Sequence, residues 1–374
     1  MRRRIGRRSS NIGGASEGFK SLDGPSHAKF AAASLVWILP MLTLASTRGN
    51  SVPPGGTLVV VHADDGIRLR AAHWRPTTRL AKGTVCLLQG RAEFIEKYYE
   101  TITELRRRGF AVVAFDWRGQ GESQRQVSDA HRGHVARFDD YRRDLKAIED
   151  AILRPLMPHP HMCLAHSMGG AVALTGAMDG WLPFARLVTV APMLSIRMIR
   201  FPAASFFLAR VLHALGLGCR YIPFGNPASL ATKPFAGNRL SGDTVRYERN
   251  AQAARAVGAS AVGDPSVAWI VGAFRAMAKL ADPRKAASIR IPTLVIGAGA
   301  DPVCDTAITE RFVGRLSSGF LLVLPDARHE ILSERDAIRD DFWAAFDAFV
   351  PGTVVSERAQ HADTGQAIAL AMTR

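Results

Sequence analysis

Short apolar runs alternating with helix-patterned stretches constrain this chain more than any other feature. Thr84–Gln89, Ala111–Phe115, Met162–Ala165, Arg186–Val190, Thr293–Ile296 and Phe320–Leu324 each read as a strand with little or no polar face. Between them lie helical patterns over Glu96–Arg107, Arg137–Leu153, Gly169–Met178, Thr306–Leu316 and Glu334–Phe349. A strand without a solvent face must be covered on both sides, so this order predicts a parallel α/β sheet with helices on both faces. Upstream, Thr57–His62 and Ile67–Trp74 are joined by Ala63-Asp64-Asp65-Gly66, whose Asp-Gly pair predicts an antiparallel hairpin. Arg106, Arg107 and Arg108 close the first helix and complement its dipole, which accounts for them without a ligand.

The alternation breaks after about Met193 and resumes near Thr293. The organisation read from this is a core over residues 51–194 and 286–352, with a mostly helical insertion over residues 195–285. Residues 353–374 form a polar tail expected to fray. Residues 1–50 hold eight basic residues against two acidic ones and predict a disordered basic extension. Within it, Phe30–Ala45 is apolar over sixteen residues but broken by Pro40, short of the roughly twenty that span a bilayer. Ala45-Ser46-Thr47 is a poor cleavage site, so a start at Met41 explains the run as well as a signal or membrane-associated segment does.

The chain's net charge of +15 suits an anionic substrate or membrane surface. Its basic residues are scattered and form no nucleic-acid module, so nucleic acid is set aside as a partner. Cys86 and Cys163 lie inside apolar runs and read as small core residues rather than disulfide partners. Neither C-x-x-C nor H-E-x-x-H occurs, so no metal site is expected, and the chemistry proposed below needs no cofactor.

A serine hydroxyl attacks only with a base in hydrogen-bond reach and a group that orients the base. Such residues gather where parallel strands end. Ser167 follows one strand and precedes a helix within Ala165-His166-Ser167-Met168-Gly169-Gly170. This is the arrangement of the G-x-S-x-G elbow, with Ala165 in place of the first glycine. Asp301 follows Thr293–Ile296 and His329 follows Phe320–Leu324, giving the order Ser, Asp, His. Ser167 and Asp301 each also fit a plain helix cap or turn. Asp305 and Asp326 are rival acids, and His166, His131 and His134 rival bases; His166 adjoins the serine, so a packing role suits it better.

These motifs resemble the lysophospholipase and monoacylglycerol lipase branch of the α/β-hydrolase superfamily, grouped with the serine aminopeptidases. The matching segments are Gln89–Phe94, Phe115–Ser123, Gly133-His134-Val135, Ala165–Gly170 and Arg328-His329-Glu330, within about residues 53–350. The resemblance implies an eight-stranded, mostly parallel sheet, a Ser167–His329–Asp301 triad, and oxyanion donors at the amides of Met168 and Arg91. Relatives often carry His-Gly where this chain has Gln89-Gly90. It also implies that residues 195–285 form a lid and that the substrate is a lysophospholipid or monoacylglycerol. A small ester or a peptide amide is the alternative, and a non-catalytic binding protein of the same fold is a distant one. A cytoplasmic protein touching the inner membrane face fits this reading. Ala203–Leu217, apolar on most faces, fits packed core more readily than a lipid-facing surface, though Phe201–Phe207 would wall an acyl chain.

Overall fold

The computed structural model describes residues 43–350. Residues 1–42 of the basic extension, nearly all of the Phe30–Ala45 run and the 353–374 tail lie outside the described residues. The expectation of disorder through residue 50 is corrected for residues 43–50, where Leu44 packs on the core and buried Asn50 donates to the Glu96 carbonyl at 2.9 Å. Eight strands form one sheet in the order β1-β2-β4-β3-β5-β6-β7-β8. β1 (Gly56–His62) and β2 (Arg68–Trp74) make the expected hairpin, His62 opposite Arg68, and β2 then pairs antiparallel with β4 (Ala111–Phe115). The remaining strands run parallel: β3 (Thr84–Leu88), β5 (His161–His166), β6 (Arg186–Val190), β7 (Thr293–Ala298) and β8 (Gly319–Leu324). β3, β4, β5 and β7 are buried at every residue, as strands covered on both faces must be.

Two cores lie on opposite faces of this sheet. One packs against α1 (Tyr99–Arg107) through Ile102 and Leu105, and against the C-terminal helix over Asp336–Phe349 through Phe342 and Phe346. The other takes Tyr141 and Leu145 from α2 (Asp140–Ile148), which runs through a wider turn into the one-turn α3 (Arg154–Leu156). It also takes Ala171 and Leu174 from α4 (Met168–Met178).

Residues 195–285 carry α5 (Pro202–Leu212), α6 (Thr244–Val257), α7 (Val267–Ala281) and the start of the short α8 (Pro283–Ala286). α9 (Thr306–Val313) and the C-terminal helix, α10, complete the chain. α6 and α7 begin where Asp243 and Ser266 accept from the amides of Arg246 and Trp269, capping amides that have no intrahelical acceptor. The insertion divides energetically. α7 buries Ala273, Met277 and Leu280 in the same core as α4, whereas α5 buries only Ala209. The expectation that Ala203–Leu217 is packed core is therefore corrected. Phe206 meets Phe274 of α7 at 5.1 Å between ring centroids, but Phe207 is 69% exposed and Leu215 70%. An apolar helical stripe shows that a face wants cover; it does not show that cover is there. No helix among the described residues is long and apolar enough to cross a membrane.

Candidate active site

Ser167 sits between β5 and α4 with φ 49° and ψ −111°, a conformation that costs a residue bearing a Cβ. Its amide donates to the Val190 carbonyl of β6 at 3.0 Å and its carbonyl accepts from Ala171 and Met193, so the turn is held from both neighbours. The crossing beneath it is close. A Cβ on Gly169 would stand 2.3 Å from the Leu88 carbonyl oxygen, so no side chain fits there. Ala165, the departure from glycine, is fully buried within β5, so its methyl is accommodated.

The structure brings Ser167, Asp301 and His329 together. His329 Nε2 lies 2.9 Å from Ser167 Oγ, and His329 Nδ1 lies 2.7 Å from Asp301 Oδ2. The other Asp301 oxygen accepts from the amides of Val303 at 2.7 Å and Cys304 at 3.0 Å. Burial alone would push this carboxyl up; its bond and charge contact with His329 and the two amides hold it below the ordinary value. All three side chains are buried. Of the rivals, Asp305 caps α9 by accepting from the Ala307 amide, and Asp326 is exposed. His134 bonds Ser266 Oγ at 2.8 Å and so ties its loop to the insertion. Asp301, Cys304 and His329 also present ligand atoms within 4.8 Å of one another. Both Asp301 oxygens and His329 Nδ1 are already committed to protein partners there.

Met168 opens α4, where the first amides lack an intrahelical acceptor. Arg91 lies in the loop after β3 and lines the same cavity as Ser167 and His329. Among the described residues neither amide donates to a protein acceptor, whereas Gly90 and Ala92 on either side donate to Glu93 and Gln120. The cavity encloses about 690 Å³, and Met193, Ile196, Met198, Ile199, Leu230 and Val303 give it apolar walls.

The sequence reading missed a buried ionic cluster behind these residues. Lys97 Nζ lies 2.6 Å from both Glu93 and Glu330, and Tyr98 donates its hydroxyl proton to Glu93. His166 places Nδ1 3.1 Å from Glu93 Oε2 and Nε2 3.1 Å from the His329 carbonyl oxygen. Both partners are acceptors, so a ring protonated on both nitrogens satisfies both contacts. Burial pulls His166 down, yet Glu93 outweighs it and the pKa rises; for Glu93, burial acts upward, but Lys97 and His166 hold it well below the carboxylate range. Gly90 is glycine because the cluster needs its space: a Cβ there would stand 2.8 Å from Glu93 and 2.9 Å from His166. Only the Glu93–Lys97 part left a local signal in sequence, the two being four apart.

A mostly parallel eight-stranded sheet, a strained serine between strand and helix, and a histidine bridging that serine to a carboxylate define an α/β-hydrolase. The chain belongs to the serine aminopeptidase S33 family, whose model matches residues 79–336. It is 33% identical over 291 residues to lysophospholipase L2 of Escherichia coli K12, covering 73% of this chain and 79% of that one. It is 25% identical over 276 residues to a monoacylglycerol lipase of Mycolicibacterium smegmatis, covering 72% and 88% respectively. The fold also matches a monoglyceride lipase of Saccharomyces cerevisiae solved with a substrate analogue. That match has a TM-score of 0.62 at 16% identity and covers 79% of this chain and 96% of that one.

Proposed function

We propose that this hydrolase cleaves the ester of a single-chain acyl lipid, a lysophospholipid or monoacylglycerol, through an acyl-enzyme on Ser167. The observation that carries the reading is the His329 imidazole within hydrogen-bond distance of both Ser167 and Asp301. In this mechanism His329 takes the Ser167 proton as Oγ attacks the ester carbonyl, and Asp301 holds the imidazolium that forms. The amides of Met168 and Arg91 receive the oxyanion, each supplying about 3 kcal/mol. His329 then returns the proton to the leaving alcohol, and water attacks the acyl-enzyme by the same route.

The apolar cavity fits one acyl chain in size and lining, and relatives named for lysophospholipid and monoacylglycerol hydrolysis support the substrate class. The insertion serves as its cover and as a contact for anionic membrane. Phe201, Phe207 and Leu215 are exposed there, and no acidic residue occurs from Gly180 to Gly242 while Arg197, Arg200, Arg210 and Arg220 do.

A fluorophosphonate probe should label the wild-type protein and fail to label Ser167→Ala, whose turnover should drop by about 10⁴-fold or more. Undiminished labelling of Ser167→Ala removes the mechanism. Initial rates on lysophospholipids, monoacylglycerols, nitrophenyl esters and peptide amides test the substrate class, and a preference for the amide overturns it. Binding to anionic vesicles should exceed binding to neutral ones and weaken with salt; equal binding removes the charge component.

A further inference from the structure

One cation at the cavity forms no ion pair among the described residues. Arg91 lines the wall shared with Ser167 and His329. Its guanidinium donates from Nη1 to the Gly263 carbonyl at 2.7 Å and lies 5.8 Å from the Trp269 ring. Among the described residues no carboxylate comes within ion-pair distance of it. Arg70 and Arg118, both buried, do have such partners, Arg70 in Glu96 and Asp116, Arg118 in Asp144 and Asp65, whereas the side chains of half-buried Arg125 and Arg328 bond only backbone carbonyls. A guanidinium carries five donors in a fork that matches two oxygens of a phosphate or carboxylate, and here only one donor has a protein acceptor.

Asp264 and Glu93 act on this guanidinium through space, but neither reaches it as an ion pair. Lys97 is held by Glu93 and Glu330, and those two carboxylates by Lys97. Asp264 accepts from the amide and side chain of Asn226 at 3.0 and 3.2 Å. Lys233 and Arg239 line the same cavity from exposed positions and likewise form no ion pair among the described residues. The cavity therefore offers an apolar region for an acyl chain and, at the Gly263 and Trp269 side of the same cavity, a guanidinium fork with open donors for an anion.

We propose that the Arg91 guanidinium is the anchor for a phosphate in the substrate head group, so that the site selects a phosphate-bearing monoacyl lipid over a neutral monoacylglycerol. This rests on the ester-hydrolase reading above and narrows its substrate. The connectivity is consistent with it: the guanidinium carbon is as many bonds from the Arg91 amide, placed at the ester oxyanion, as the phosphorus of a glycerophospholipid is from its ester carbon. Phosphate oxygens would complete the donor set that Gly263 leaves open, with Lys233 and Arg239 adding long-range attraction at the mouth.

The test is a ratio, which cancels any damage the substitution does to the shared chemistry. kcat/KM is measured for a short-chain lysophosphatidylglycerol and for the monoacylglycerol of the same acyl chain, both below their micelle concentrations. Wild-type protein should favour the phosphate substrate by about tenfold or more. Arg91→Gln should bring the ratio to within about threefold of unity, and Arg91→Lys should restore part of it. A wild-type ratio near unity, or one that Arg91→Gln leaves unchanged, overturns the proposal. If Arg91→Gln does not fold, competition on the wild-type protein decides: glycerophosphoglycerol should inhibit competitively and glycerol should not. Equal inhibition by both, or none by either, rejects the anchor. Wild-type protein that hydrolyses neither ester rejects the underlying function instead, so the two failures are distinguishable.

Discussion

Two buried charge clusters grow from one short stretch, Glu93–Lys97, and do different things. Glu96 points toward the scaffold, where Arg70 bonds both of its oxygens at 2.8 Å and also reaches Asp116 at 2.7 Å. Asp116 in turn accepts from the amides of Ile95 and Glu122, so this cluster fixes the loops after β3 and β4 to β2. Glu93 and Lys97 point the other way, toward Glu330, His166 and the carbonyl of His329. Both clusters are buried. The first locks the sheet to its loops, whereas the second joins the loop of Arg91 to the loop of His329. Burying a charge near a site therefore says little by itself; the backbone it grips says what it is for.

The contrast can be broken experimentally. Arg70→Met leaves Glu96 and Asp116 without their cation and should lower stability by about 3–5 kcal/mol. The folded fraction should retain its kcat; a kcat loss as large as that of Lys97→Met would erase the distinction. Lys97→Met should cost less, about 2 kcal/mol, because Glu93 keeps donors from Tyr98, Gly90 and His166. Its kcat should fall about tenfold with KM within about threefold, since the link between the Arg91 and His329 loops is cut; steady-state kinetics beside urea denaturation reads both.

The smallest effect is on pH dependence. Burial opposes protonation of His166 and Glu93 overcomes it, so the folded pKa lies above the unfolded value, about 6.5. The charged form therefore contributes stability that is complete below that unfolded value and disappears as pH rises through the folded one. Between about pH 6 and pH 9 the wild-type Tm should fall further than that of His166→Gln. Parallel Tm curves would mean that Glu93 does not hold His166 as a cation.

How much of this could be read from residue order follows from the range of each interaction. β3, β5 and β7 were legible because a strand buried on both faces writes its environment into every position. Ser167, Asp301 and His329 were legible as candidates because each lies just past a strand. The Lys97–Glu330 pair was not, since its partners stand more than 200 positions apart and nothing local requires it. His166 was read as a packing residue, while its ring bonds Glu93 and a backbone carbonyl. α5 shows the opposite failure, a strong local pattern whose outcome depends on a neighbour that only tertiary structure supplies.

The four thiols are all unpaired, and their surroundings differ sharply. Burial drives Cys86, Cys163 and Cys304 above the usual thiol range, which makes them inert toward alkylation at neutral pH. Cys219, in the insertion just beyond α5, is exposed. The native sequence thus carries its own attachment point: a maleimide dye should couple there alone, and its fluorescence would follow that surface during turnover without any engineered residue.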